Sequence, residues 1–173
     1  MFSKIRNIFR ILITPQLYSE FARLLGYYFY EHVLPSTTIS KGNNVDIHPT
    51  VSLRFGRNIE LGDDVIIEAN CCIWASPNSK IRIGNNSGIA YGTMIISSNH
   101  GIYKSASYTD QPMREKDISI EDDVWVGANC VIMHGVTLGK GSVIGAGTVV
   151  SKNISNNTIA VGKSRDLSLF QRR

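Results

Sequence analysis

Four histidines and three cysteines are the side chains of this 173-residue chain best suited to proton transfer, nucleophilic attack or metal ligation. Imidazole has a solution pKa of about 6.5, so it can take up and return a proton near neutrality. His48, His100 and His134 are separated by 52 and 34 residues. That spacing offers no close pair of the kind a compact histidine zinc site uses, and no metal is expected. Cys71 and Cys72 are adjacent, Cys130 stands alone, and there is no C-x-x-C. A disulfide framework and a zinc knuckle are both disfavoured, and the thiols read as small core side chains in a reducing compartment. His48 precedes Pro49 and reads as a turn residue. His134, in Met133-His134-Gly135-Val136, reads as an exposed turn, and His32 as part of an N-terminal helical segment. His100 differs, because it opens a stretch, Ser97–Asp117, that also carries Asn99, Gly101, Tyr103, Tyr108, Asp110, Arg114 and Glu115. Long insertions in a regular scaffold are often functional. From the residues alone, His100 is either a solvated loop histidine or a general base.

The scaffold around that stretch is a six-residue repeat. Ile120, Val126, Ile132, Leu138, Ile144 and Val150 follow one another at steps of six. Ile83, Ile89 and Ile95 do the same, as do Leu61, Ile67 and Ile73, and Ile39, Val45 and Val51. The next residue is often glycine (Gly62, Gly84, Gly127, Gly139, Gly145), which suits a tight corner. Four residues after the aliphatic comes a small or β-branched side chain, as at Val65, Cys71, Ser87, Thr93, Cys130, Ser142 and Thr148. Side chains alternate along a strand, so both positions point inward. No single unit buries its own apolar face, and the units must stack as a solenoid. Steps of ten from Val51 to Leu61 and from Ile73 to Ile83 read as small loops at corners. The step from Ile95 to Ile120 is the large interruption.

Residues 1–38 form a separate helical segment. Phe2, Ile5, Ile8, Phe9 and Leu12 recur at helical spacing, and Pro15 suits the first turn of a second helix that ends before Pro35. Tyr27, Tyr28, Phe29 and Tyr30 form an aromatic cluster. The segment is expected either to cap the main domain or to lie on a membrane surface. The formal charge of +4 is concentrated at the two ends of the chain. Lys4, Arg6, Arg10 and Arg23 against Glu20 and Glu31 give residues 1–35 a net of +2. Lys163, Arg165, Arg172 and Arg173 against Asp166 give the tail, 163–173, a net of +3, leaving −1 for the middle. A nucleic-acid groove along the body is therefore excluded. No apolar run reaches the roughly 18–20 residues of a membrane span, and no signal peptide is evident. A cytoplasmic protein is expected, peripheral at the inner face of the membrane if the N-terminal segment binds there.

The stretch IEDDVWVGANCVIMHGVTLGKGSVIGAGTVVSKNISNNTIAV, residues 120–161, closely resembles the hexapeptide-repeat acyltransferases of the sugar O-acetyltransferase type. The resemblance extends over about 39–162. It implies a mainly β fold, a left-handed parallel β-helix with three hexads per coil. It also implies a homotrimer with the active site between protomers, acetyl-CoA as co-substrate, and His100 as the catalytic base. Trp125 would lie near the thioester arm. Ala128 and Ala146 would approach the pantetheine, and Ser151 and Lys152 the phosphates and adenine. Asn70 and Asn99 would contact the acceptor. The usual Gly-Asn-Pro-Ala-Lys close is replaced by Gly162-Lys163-Ser164-Arg165-Asp166, where Lys163 and Arg165 could serve the 3′-phosphate. The usual His-Pro is His-Gly, as in the polysaccharide branch. The resemblance thus implies acetyl transfer to a saccharide hydroxyl, on a free or lipid-linked glycan in bacterial surface-polysaccharide synthesis. N-acetylation of an amino-sugar nucleotide is the alternative. A non-catalytic scaffold and a γ-type carbonic anhydrase are remote ones, the latter because the histidine spacing is wrong.

Overall fold

The computed structural model describes residues 14–104, 106–163 and 166–171. Its body is a left-handed parallel β-helix of five coils with three parallel sheets as faces. The first face stacks Ser40–Lys41, Ile59–Leu61, Ile81–Ile83, Ile118–Ile120 and Thr137–Leu138. The second runs Asp46–Ile47, Ile66–Ile67, Gly88–Ile89, Trp125–Val126, Val143–Ile144 and Thr158–Lys163. The third runs Ser52–Arg54, Cys72–Trp74, Met94–Ile96, Val131–Ile132 and Val149–Val150. Uninterrupted coils repeat every eighteen residues, as in the pairs Ile120 with Leu138 and Ile132 with Val150.

The core is one continuous column in which the aliphatic of each hexad and the small residue two before the next both face inward. Ile67, Ile73, Ile89, Ile95, Val126, Ile132, Leu138 and Ile144 are buried beside Val65, Cys71, Val124, Cys130 and Val136. Two positions two residues apart point the same way, which explains a shift in the first coil. The expected frame Ile39, Val45, Val51 is displaced by two: Lys41 pairs with Leu61, Ile47 with Ile67, and Leu53 with Ile73. Ile39 and Val51 are still buried, in the small-residue slot.

The corner geometry also differs from expectation. Positive φ falls three residues after the aliphatic, at Asp64, Asn70, Asn86, Asp123 and Asn129 and at Gly92, Gly135, Gly141 and Gly147. Asn and Asp tolerate that region through local hydrogen bonding. The glycines just after the aliphatic serve close approach instead: a Cβ on Gly127 would come within 2.7 Å of the Ala146 amide nitrogen.

Helix α1, Pro15–Tyr28, runs into a π-helical turn, Phe29–Val33, and a short helix α2, Leu34–Ser36. The helical path therefore passes Pro35, which was expected to stop it. Pro35 is accommodated in the first turn of α2, where its missing N–H costs nothing. The preceding spacing from Phe2 to Leu12 lies outside the described residues. No residue of α1 is buried, so α1 does not cap the coils. Contact is made at the end of α1 by Tyr28, whose hydroxyl donates to the Pro49 carbonyl at 3.2 Å, and beyond it by Glu31 and His32. The expected tail also takes shape: Asp166–Gln171 folds back as an antiparallel strand on Thr158–Lys163. Among the described residues, no helix is long and apolar enough to cross a membrane.

Candidate active site

All three interruptions of the repeat leave the prism at one edge, where the third face turns into the first. The long one is a hairpin: Ser98 pairs with Glu115 and Asn99 with Arg114, antiparallel. Its root is tied to the coil below. Buried Ser97 shares a 2.7 Å hydroxyl contact with Ser79, the Lys116 amide donates to the Ser97 carbonyl at 2.9 Å, and the Asn78 amide donates to Glu115 at 2.6 Å. Gln111 braces the arm, accepting from the Tyr103 amide and donating to the carbonyls of Tyr103 and Ala106.

His100 sits at this root, exposed. Its amide donates to its neighbour Asn99 at 2.9 Å, which spends the Asn99 carbonyl oxygen on the turn. Its ring meets the Tyr108 ring edge-on, centroids 5.2 Å apart. Among the described residues, no protein group hydrogen-bonds the imidazole. Tyr108 restricts the ring while the nitrogens stay accessible. Nothing local in the sequence ties Tyr108 or Gln111 to His100, since loop contacts have no period.

Ser151 and Lys152 lie exposed on the same edge, at the top coil. Asn70, Ala128 and Ala146 lie on a different edge, between the second and third faces. There Asn70 has positive φ, and its side-chain amide donates to the Tyr91 hydroxyl at 2.8 Å. Ala128 is half-buried with its carbonyl accepting from Gly147, while Ala146 is exposed. Trp125 is 50% exposed on the second face and lies over Gly88, where a Cβ would meet its ring at 2.7 Å. Lys163 ends the Thr158–Lys163 strand, and Arg165 lies outside the described residues. One chain therefore groups His100 and Asn99 with Ser151 and Lys152, and holds Asn70, Trp125, Ala128 and Ala146 apart from them.

The other histidines have structural roles. His48 holds a turn through its Nδ1, 2.9 Å from the Thr50 hydroxyl and 3.2 Å from the Thr50 amide. His32 stacks on Tyr28 and places Nδ1 2.7 Å from the Val51 carbonyl. His134 departs from expectation: it is half-buried rather than exposed, with its Nδ1 buried and without a partner. The register carries it above Ser97 and below Lys152, so it packs over the hairpin root. Cys71 and Cys130 are buried, and burial pushes their thiols up. Among the described residues, no group of three or more His, Cys, Asp or Glu could hold a metal ion.

A second polar constellation lies beneath the π-helical turn Phe29–Val33, and the sequence reading missed it. Glu31, 4% exposed, accepts from the Ser52 hydroxyl at 2.7 Å and from Arg54 at 2.9 and 3.1 Å. Ser52 accepts in turn from the Trp74 indole, and the Arg54 guanidinium lies 3.8 Å over the Trp74 ring. Burial alone would raise the Glu31 carboxyl, but the Arg54 and Ser52 hydrogen bonds and the Arg54 charge outweigh it and hold it below the ordinary range. The sequence signal was a lone acid inside an aromatic cluster.

Residues 117–152 match the family model "Bacterial transferase hexapeptide (six repeats)". The chain is 31% identical over 132 residues to the galactoside O-acetyltransferase of Escherichia coli K12, covering 76% of this chain and 64% of the relative. Across three such curated relatives it spans 55–64% of their length. Among solved structures, a maltose O-acetyltransferase from Clostridium difficile superposes with a TM-score of 0.73 at 26% identity, over 88% of this chain and 84% of that one. A hexapeptide-repeat acetyltransferase from Vibrio cholerae, complexed with acetyl coenzyme A, gives 0.68 at 26% identity, over 80% and 74%. The chain thus carries the bacterial-transferase hexapeptide repeat over residues 117–152 and is similar along its β-helix to hexapeptide-repeat acetyltransferases.

Proposed function

We propose that this chain transfers the acetyl group of acetyl-CoA to a saccharide hydroxyl, with His100 as general base. The observation that carries the reading is the exposed His100 imidazole, held by Tyr108 at a braced hairpin root with no protein hydrogen bond on its nitrogens. The names of the relatives support the substrate class, and the acetyl-coenzyme-A complex of the Vibrio neighbour supports the donor.

The chemistry follows from those groups. An imidazole nitrogen takes the acceptor hydroxyl proton as the oxygen attacks the thioester carbonyl carbon. The tetrahedral oxyanion collapses, the carbon–sulfur bond breaks, and the departing thiolate takes the proton from the imidazolium. Positioning and oxyanion stabilisation supply the rest of the barrier reduction. The chain fits the donor at two places. Gly147 has open space where a side chain would stand, beside exposed Ala146, which suits a thin pantetheine arm. Lys152 is an exposed cation for phosphate. Gly147 and Ala146 lie on an edge other than the one His100 shares with Lys152, so the full site requires a second copy of the chain. A trimer in which unlike edges face each other supplies it. The acceptor would be a glycan of bacterial surface-polysaccharide synthesis, modified at the cytoplasmic side of the membrane.

The test is an acceptor screen with acetyl-CoA and free-thiol detection, on the wild type and His100→Ala, including sugars, glycolipids and an amino-sugar nucleotide. His100→Ala should lose about 10²–10⁴-fold in turnover while retaining coenzyme A binding. Turnover with the amino-sugar nucleotide alone would convert the reading to N-acetylation. Unchanged turnover in His100→Ala would remove the base assignment.

A further inference from the structure

A pocket of about 750 Å³ lies between the N-terminal helical segment and the first corner loop, lined by Tyr30, Leu34, Leu53, Phe55, Arg57 and Pro77 among others. Three features set it apart. Phe55 adopts φ 54°, ψ 54°, and every other non-glycine residue with positive φ among the described residues is Asn or Asp. A bulky side chain held in that region marks a position maintained for more than folding. The conformation also leaves the ring 51% exposed rather than packed. Gly56 packs its backbone against the N-terminal segment, where a Cβ would collide with the Pro35 carbonyl and the Thr38 hydroxyl. Finally, Arg54 is committed to Glu31, whereas among the described residues no carboxylate pairs with Arg57. The pocket thus has apolar walls at Tyr30, Leu34, Leu53, Phe55 and Pro77, the mutually neutralised Glu31–Arg54 pair, and one uncompensated cation, Arg57.

Its place in the fold connects it to His100. Its corner loop and the His100 hairpin leave the same edge two coils apart, about 10 Å at the spacing of stacked strands. The intervening turn joins them: Asn58 donates to the Ser76 carbonyl at 2.6 Å, and the Asn78 amide donates to Glu115 of the hairpin. The pocket wall at Tyr30 and Glu31 belongs to the turn that follows α1 in the chain, and on α1 Tyr18, Phe21, Leu24 and Leu25 are each 55–64% exposed. The charges of α1, Glu20 and Arg23, pair with each other at 2.6 Å. Residues 1–13 add Lys4, Arg6 and Arg10 with no acid. Aromatic and apolar side chains beside cations suit an anionic membrane interface.

We propose that this pocket holds the anchor of a membrane-linked glycosyl phosphate, its hydrocarbon against Phe55, Leu34 and Tyr30 and its phosphate at Arg57, with the sugar reaching up the edge to His100. Its sugar end rests on the acetyl-transfer reading above. Its anchor end does not, and that end is tested by binding alone. The full chain is titrated calorimetrically with dodecyl phosphate below its micelle concentration, and separately with inorganic phosphate, dodecyl maltoside and phosphatidylglycerol vesicles. Dodecyl phosphate should bind saturably, once per chain, and more tightly than either the maltoside or phosphate. Arg57→Ala should weaken it about tenfold to a hundredfold, the loss of one charge-assisted phosphate contact. Phe55→Asn, which suits the backbone conformation, should weaken it severalfold while the protein stays folded by circular dichroism. His100→Ala should bind as the wild type does. No saturable binding overturns the proposal. So does wild-type affinity in both pocket variants, or binding to vesicles alone that ignores them. Dodecyl phosphate binding without acetyl transfer to any acceptor would refute the proposed activity and support the pocket.

Discussion

Glu31→Gln is the substitution whose consequence follows most directly from the coordinates. Glutamine keeps the volume and one acceptor but removes the charge that receives Ser52 and both Arg54 contacts. Breaking a fully buried ion pair costs about 3–5 kcal/mol. The Arg54 side chain is 43% exposed, so water recovers part of that, leaving about 2 kcal/mol. The loss is local, because α1 buries no residue of its own and Glu31 is the principal polar anchor of the helical segment. It should therefore appear as an opening of residues 15–36, more frequent by about thirtyfold, with the coils unaffected. Amide hydrogen exchange at pH 7 measures this segment by segment. The pH dependence has a defined sign. The folded carboxyl lies below the ordinary glutamate value of 4.5, so its stabilisation is complete above that value and is lost as pH falls through the lower folded one. The wild type should loosen its N-terminal segment in acid, and Glu31→Gln should lack that transition. Equal protection of residues 15–36 in both proteins at pH 7, or loosening of the wild type as pH rises, would refute the reasoning.

Five further substitutions probe the coils and the first corner loop. Ser142 is buried with its hydroxyl unpartnered, whereas Ser87 donates to the Glu121 carbonyl and accepts from the Val124 amide. Urea midpoints should show Ser142→Ala neutral or stabilising and Ser87→Ala costing about 1–3 kcal/mol. Gly127→Ala drives a Cβ into the backbone of Ile144 and Ala146, so it should cost about 1–3 kcal/mol, while Gly147→Asn, at φ +71° in open space, should stay within about 0.5 kcal/mol. Phe55→Asn relieves a left-handed phenylalanine and should raise the Tm by about 2–4 °C, for about 1 kcal/mol. A fall in Tm would mean that the ring packs more than it strains.

The legible part of this protein is what repeats. The aliphatic at every sixth residue and the small residue at its inward partner position announced a β-solenoid, and Cys71 and Cys130 sit in the core where that period puts them. Length alone flagged the Ser97–Asp117 insertion, and the type of residue at its start flagged His100. The limit of a period of two is visible in the first coil, where Ile39 and Val51 satisfy the inward pattern from the slot two residues away from the expected one. Burial constrains which side of a strand is apolar but cannot distinguish two positions on the same side.

Sequence by itself thus determined the scaffold, because stacking identical coils is a local rule applied many times. Tertiary structure alone decided the rest, because each remaining feature depends on which residues from distant coils share an edge. It sends every insertion out at one edge, and sets His134 between Ser97 and Lys152. It buries Glu31 against Ser52 and Arg54, contacts spanning 21 and 23 residues that no period encodes. It also keeps Asn70, Ala128 and Ala146 on an edge away from His100, since a triangular prism points its corners in different directions and one chain has no means of folding two of them together.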